Sequence, residues 1–289
     1  MMATRVDARN ASALEGRNFI DWSSTVWVVG MGLAGLAAML FSSWDPVHIG
    51  IAATFTAISL CCGHSVGLHR FVIHGSARTP LWLERLLITL ATTAGMGGPL
   101  TLIRHHALRD WAQQQPTSHI WLGHGRPFWL DVPMQVCCRL ALDRPPIIQV
   151  NPRFENDPVY RALEASWPLL QVPIALAAWA LGGWEAVGWI VGLRVFTCVV
   201  MHQVVGWLAH NVGYQHADVP TASVQGYNLP VLGFLSFGEG WHNNHHRFSG
   251  SAKLGLYPGE WDPGWWFVVA LQRLGLAWQV RVATVEDLG

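Results

Sequence analysis

Hydrophobic residues in this chain run in long unbroken blocks instead of alternating with polar ones. Residues 22–44, 46–69 and 166–184 contain no Asp, Glu, Lys or Arg, and 186–217 is interrupted only by Arg194. Each block supplies the roughly 20 apolar residues a helix needs to cross a bilayer. Short links at Trp44-Asp45-Pro46 and Gly182-Gly183-Trp184-Glu185-Ala186 join the blocks in pairs. The pattern predicts an all-α integral membrane protein with four transmembrane helices in two hairpins, at about 22–44, 46–69, 166–184 and 186–210. A fifth apolar stretch, 86–103, carries Gly95, Gly97, Gly98 and Pro99 beside Glu84-Arg85, which favours an interfacial or re-entrant segment. Residues 1–20 read as a polar lead, 21–281 as one membrane domain and 282–289 as a tail.

Composition agrees with this reading. The 289 residues are 51% hydrophobic and only 12% charged, and the net charge is zero. That charge balance gives no basis for a nucleic-acid partner. Arg5, Arg9 and Arg17 precede the first block, and further arginines fill the segment between the hairpins, whereas the two hairpin links have none. The positive-inside rule then puts both termini and the middle segment in the cytoplasm. Cys61, Cys62, Cys137, Cys138 and Cys198 form no C-x-x-C pair, so thiolate metal sites and disulfides are not expected. The 17 tryptophans suit interfacial belts.

Against this background the polar residues that stand out are histidines. His242, His245 and His246 fall at i, i+3 and i+4, one face of a helix, where three imidazoles can converge on a metal. His69 and His74 follow the second block at i, i+5, a spacing that does not face one way on a straight α-helix. They can serve one metal if the helix breaks at Gly67 or Gly75, or else two adjacent metals. His210 and His202 share a stripe of the fourth block; His210, nearer the cytoplasmic end, reads as a ligand and His202 as structural. His64 lies deeper and is either a functional intramembrane group or a hydrogen-bonded member of the bundle. A pool of imidazoles at one membrane face points to a transition-metal centre acting on lipid.

His69-Arg70-x3-His74 after a span, a histidine-containing middle loop, and Gly238-Glu239-Gly240-Trp241-His242-Asn243-Asn244-His245-His246 form an ordered series. With Leu254-Gly255-Leu256-Tyr257-Pro258-Gly259-Glu260-Trp261 behind it, the series resembles the membrane-bound fatty acid desaturases of the acyl-CoA delta-9 type, in their bacterial form. The resemblance implies oxygen-dependent desaturation of a fatty acyl chain carried on coenzyme A, a carrier or a lipid. It implies a di-iron centre (one iron is the variant case) and a ferredoxin or b-type cytochrome as electron donor. It also implies a bacterial inner membrane, with the active site cytoplasmic. Carried over by position, the metal ligands are His69, His74, His210, His242, His245 and His246, and His106 joins them from the divergent second box. His105, Asp110, His119, His124 and Glu239 are further ligand or supporting candidates, and Arg70 and Arg109 are candidates for a substrate headgroup.

Two departures stand out. The family's second box is H-x2-H-H, but here the segment reads Arg104-His105-His106-Ala107-Leu108-Arg109-Asp110. Gly206 also stands where the family has an Asn that meets the metal through water. The competing readings are a lipid hydroxylase or ketolase of the same superfamily, and a metal-binding membrane protein without catalysis.

Overall fold

The computed structural model describes residues 3–220 and 222–283. Helix starts follow the Asp-Pro and Asp-x signals in the sequence. Asp21 caps α1 (Trp22–Phe41) by accepting from Ser24 N, and Asp45 caps α2 (Pro46–Ile73) by accepting from Val47 N, with Pro46 in the first turn. Among the described residues three helical stretches are long and apolar enough to cross a membrane: α1, α2 and the 54-residue run Pro158–Asn211. That run comprises α7 (Pro158–Ser166), a short turn, α8 (Gln171–Val187), a wide-turned segment Gly188–Leu193 and α9 (Arg194–Asn211). Within α8 the backbone leaves helical geometry at Gly182 and Gly183, whose φ is +60°. The large apolar side chains of α1 point outward: Val26, Leu33, Leu40 and Phe41 are all more than 60% exposed. An aqueous surface would not tolerate such a face, but hydrocarbon would.

Small residues let the spans approach. A Cβ on Gly192 would sit 2.8 Å from the Gly35 backbone, and one on Gly188 would sit 2.5 Å from Ala38 Cβ. Gly188-x3-Gly192 is thus a small-residue seam against α1, the usual way helices pack where lipid removes the hydrophobic drive between them.

The segment expected at 86–103 is two helices. α3 (Leu81–Thr93) and α4 (Pro99–Gln113) are separated by a break with Gly95 at φ +77° and Gly97 at φ +140°. Neither reaches spanning length. α3 lies against α2, where a Cβ on Gly63 would meet Ala91 N at 2.3 Å. Leu68 and Val72 of α2, Ile88 and Ala91 of α3, and Leu100 and Ile103 of α4 share a buried core with Phe154, Tyr160 and Leu163.

The fold is mostly helical but not wholly so. The lead segment forms β1 (Thr4–Asp7) and β2 (Gly16–Ile20). They pair antiparallel with β4 (Ile147–Val150) and β3 (Cys138–Leu142), and no sheet among the described residues closes. The expected all-α class misses these two ribbons. Their strands are only 4 or 5 residues long, too short for a clear period-two signal, and each finds its partner more than 100 residues away. The remaining helices are α5 (Phe128–Cys137), α6 (Pro152–Glu155), α10 (Pro230–Leu235), α11 (His242–Arg247) and α12 (Pro263–Arg273). The tail assigned to 282–289 lies outside the described residues except for its first two positions.

Candidate metal centre

The decisive local feature is the second half of α2. From Ser59 to Ile73 the helix is wound with i→i+5 hydrogen bonds, and His74 N closes the last turn on His69 O at 3.0 Å. Wide turns of this kind cluster at functional sites. Here the winding brings the i, i+5 pair onto one face, so no break is needed at Gly67. The two Nε2 atoms lie 3.2 Å apart.

α4 adds His106, whose ring centroid is 4.9 Å from those of both His69 and His74. α11 adds His245, 4.7 Å from both. The ligating nitrogens of these four all fall within 4.8 Å of one another. A second group, His210 of α9 with His242 and His246 of α11, meets the same limit. In it His242 Nε2 is 3.2 Å from His210 Nε2 and 3.1 Å from His246 Nε2. Imidazole nitrogens held about 2.0–2.1 Å from one tetrahedral ion are roughly 3.3 Å apart. The observed spacings match that arrangement. α11 serves both groups: His242 and His246 at i, i+4 face one, and His245 faces the other.

Carboxylates and carbonyls fix the orientation of several rings. His69 Nδ1 lies 2.8 Å from Glu239 Oε2, and Glu239 Oε1 accepts from Ser65 Oγ at 2.6 Å. His106 Nδ1 lies 3.1 Å from Asp110 Oδ2, and His210 Nδ1 donates to Gln225 O at 3.1 Å. Engaging Nδ1 in this way leaves Nε2 as the inward lone pair, the tautomer a metal needs. Burial pushes the imidazoles of His242 and His245 well below their usual range, and that of His246 down to about 4. Burial thus favours the neutral imidazole, the form able to bind a metal. His106 goes the other way. Burial lowers it, but the Asp110 carboxylate beside it prevails and raises it. The same pairing holds the Asp110 carboxyl low against its own burial, as His69 does for Glu239.

Of the residues expected from sequence, the structure gathers His69, His74, His106, His210, His242, His245 and His246 into the two groups, with Glu239 and Asp110 behind them. His124 lies beside the second group, its ring stacked on His210 at 5.4 Å. His105 is exposed and His119 accepts a hydrogen bond from Trp121 N within its own turn, so neither joins a group. Arg70 is not available to a headgroup. It is 1% exposed, paired to both oxygens of Asp262 at 2.9 and 3.0 Å, and bonded to the Phe237 and Ala252 carbonyls. Arg109 is likewise committed to protein groups, Leu122 O and Gln135 Oε1 among them. The reason is common to both: a guanidinium drawn into the interior must be neutralised or hydrogen-bonded there.

Sequence reasoning missed Gln113, whose Nε2 lies 3.2 Å from His210 Nε2. Its place on the stripe His106, Asp110, Gln113 of α4 is the signal that could have found it. Nothing local announces Asp131, which sits 2.7 Å from His124 Nδ1. His64 and His202 meet edge to face at 5.0 Å, and the buried Nδ1 of His64 has no hydrogen-bond partner among the described residues.

The fatty acid desaturase family model matches residues 42–252, a stretch that takes in every histidine of both groups. The chain is 34% identical to the sn-1 stearoyl-lipid 9-desaturase of Anabaena variabilis, over 91% of this chain and 95% of that one. It is 31% identical to the sn-2 palmitoyl-lipid 9-desaturase of Nostoc sp. (strain 36), over 90% of each. It is 27% identical to the chloroplastic palmitoyl-monogalactosyldiacylglycerol delta-7 desaturase of Arabidopsis thaliana, over 91% of this chain and 69% of that one. With its histidines arranged for metal and most of its length shared with named desaturases, the chain belongs to the fatty acid desaturase family of oxidoreductases.

Proposed function

We propose that this protein is an acyl-lipid desaturase that uses oxygen and an external electron donor to remove two hydrogens from a fatty acyl chain. The observation that carries the reading is the pair of imidazole groups joined by α11, seven rings in all and none of them thiolate-based. Iron is a metal this donor set can hold and the one the family points to, with His69, His74, His106 and His245 on one side and His210, His242 and His246 on the other. When bound, it would supply the oxidising power that an unactivated methylene demands. The protein's own share is to hold the rings, through Glu239 on His69 and Asp110 on His106, and to keep bulk water from the reacting chain.

The substrate preference for acyl groups on lipid, over coenzyme A, follows the two relatives named for stearoyl-lipid and palmitoyl-lipid. The non-helical backbone at Gly182 and Gly183, which allows the 54-residue run to turn back as a hairpin, supports a reading of four spans. The arginine distribution supports a centre and termini that face the cytoplasm of a bacterial inner membrane. Electrons come from a ferredoxin or b-type cytochrome.

The test is expression in a host with defined lipids, followed by mass analysis of intact lipids and released acyl chains. A product lighter by two hydrogen atoms supports desaturation, and its persistence on intact glycerolipid supports the acyl-lipid preference. A product heavier by one oxygen atom identifies a hydroxylase instead. An unchanged lipid profile, from protein shown to contain iron, overturns the proposal.

A further inference from the structure

The two imidazole groups are not built alike. One closes four rings around a point, while the other has three. In a second box of the form H-x2-H-H begun at His106, the two later histidines would fall at positions 109 and 110, where this chain has Arg and Asp. Asp110 turns back to His106 Nδ1 at 3.1 Å and so supports the first group. Arg109 is locked beside the second. Its Nη1 donates to Leu122 O at 3.2 Å and reaches His124 Nε2 at 2.8 Å, Nη2 donates to Gln135 Oε1 at 2.9 Å, and the guanidinium stands 5.0 Å from the Trp121 ring centroid.

The surroundings have adjusted to this cation. His124 Nδ1 faces the fully buried Asp131, so its Nε2 is the acceptor for Arg109. The His124 ring packs against α9 where Gly206 has no side chain; a Cβ there would be 3.1 Å from His124 Nε2. The same ring stacks on His210 at 5.4 Å with an interplanar angle of 14°. On the ligand side, His210 Nδ1 donates to Gln225 O, so its single Nε2 lone pair faces the Gln113 amide at 3.2 Å, and a metal must displace that amide to bind there. The flank beside His210 is therefore taken by the Gln113 amide and by the neutral His124 ring, whose Nε2 holds the Arg109 guanidinium. The guanidinium stands behind the His124 ring that stacks on His210, and its field, offset in part by the Asp131 carboxylate on that ring's other nitrogen, opposes a dication at the second group.

We propose that the chain holds two unequal metal positions: a tight one at His69, His74, His106 and His245, and a weak one at His210, His242 and His246 whose affinity for a divalent transition ion is set by Arg109. This rests on the metal-centre reading above, and the behaviour of the first position tests that reading separately.

The experiment is titration of chelator-stripped protein in detergent with Co(II), read by its visible absorption bands, with bound metal counted directly. The wild type is expected to take one equivalent tightly and a second at least tenfold more weakly. Arg109→Met removes the cation, and Arg109→Gln also keeps an amide able to reach Leu122 O or Gln135; each should tighten the second step tenfold or more and leave the first unchanged. His242→Ala should erase only the weak step, and His245→Ala should weaken the tight one. Two equivalents of indistinguishable affinity in the wild type overturn the proposal whatever the variants do. So does a folded Arg109→Met or Arg109→Gln protein whose second step is no tighter. Absence of any Co(II) binding by folded protein overturns the metal-centre reading itself.

Discussion

The end of α2 is fastened to the segment after the third histidine box by one buried ion pair, and the consequence can be worked out. Asp262 accepts from Arg70 Nη1 and Nη2 at 3.0 and 2.9 Å, from Leu254 N at 2.8 Å and from Trp265 N at 2.9 Å. Both side chains are 1% exposed. Replacing Asp262 by Ala leaves the guanidinium buried without a counter-charge, a loss of about 3–5 kcal/mol. At roughly 2–4 °C per kcal/mol for a chain of this size, the melting temperature should fall on the order of 10 °C. Thermal unfolding of the purified protein, followed by tryptophan fluorescence, reads this directly. Arg70→Met should do similar damage by stranding the carboxylate. The double variant Arg70→Met/Asp262→Leu should then lose clearly less than the two single losses added, since neither charge remains. A fall of less than about 3 °C for Asp262→Ala, or strict additivity in the double variant, would refute the view that this pair fastens the two segments.

Further outcomes follow from the same geometry. Glu239→Gln removes the charge facing His69 Nδ1 and should weaken metal binding at the first position by about 10–100-fold in a Co(II) titration; unchanged affinity would show that Glu239 does not orient the ring. Because burial holds His242, His245 and His246 below the ordinary histidine value of about 6.5, the folded metal-free protein binds fewer protons than the unfolded chain at acid pH. Its stability should therefore be full above that value and decline as pH falls from it toward 4, so a melting temperature that stays flat between pH 7 and pH 5 would contradict this. Gly63→Ala puts a methyl 2.3 Å from Ala91 N and should destabilise by about 1–3 kcal/mol through the α2–α3 contact; a neutral result would mean that α3 does not pack as described.

What could be read from sequence was whatever depends on short-range chemistry. The spans follow from charge-free length, the hairpin link at Asp45-Pro46 from its break in the apolar run, and the grouping of His242, His245 and His246 from helical spacing. What could not be read depends on contacts distant in sequence. His69 and His74 look mismatched until the helix is found to widen, and nothing in H-x4-H announces that. β1 and β2 seem to be a polar lead because their partners lie more than 100 residues away. Arg70 has the composition of a headgroup ligand, but Asp262, 192 positions later, takes it inside. Asp110 was legible as a carboxylate near the metal; only the fold shows that it serves His106.

The two positions are bound together by α11. His245 points to one and His242 with His246 to the other, with the His242 and His245 ring centroids 5.6 Å apart. A rotation of this six-residue helix that improved one group would spoil the other, so its register must be fixed from outside. Asn243 and Asn244 supply the fixing from the opposite face. Asn244 donates to Leu254 O and to Glu260 Oε2, Asn243 donates to Ala217 O and Gly226 O, and Asn228 Oδ1 accepts from both backbone amides. Converging imidazole lone pairs are unfavourable in the absence of an ion, and local strain of this kind persists only when the surrounding structure over-determines it. The two asparagines between the histidines do that over-determining, and so the box carries amides where a helix built for stability alone would carry apolar residues.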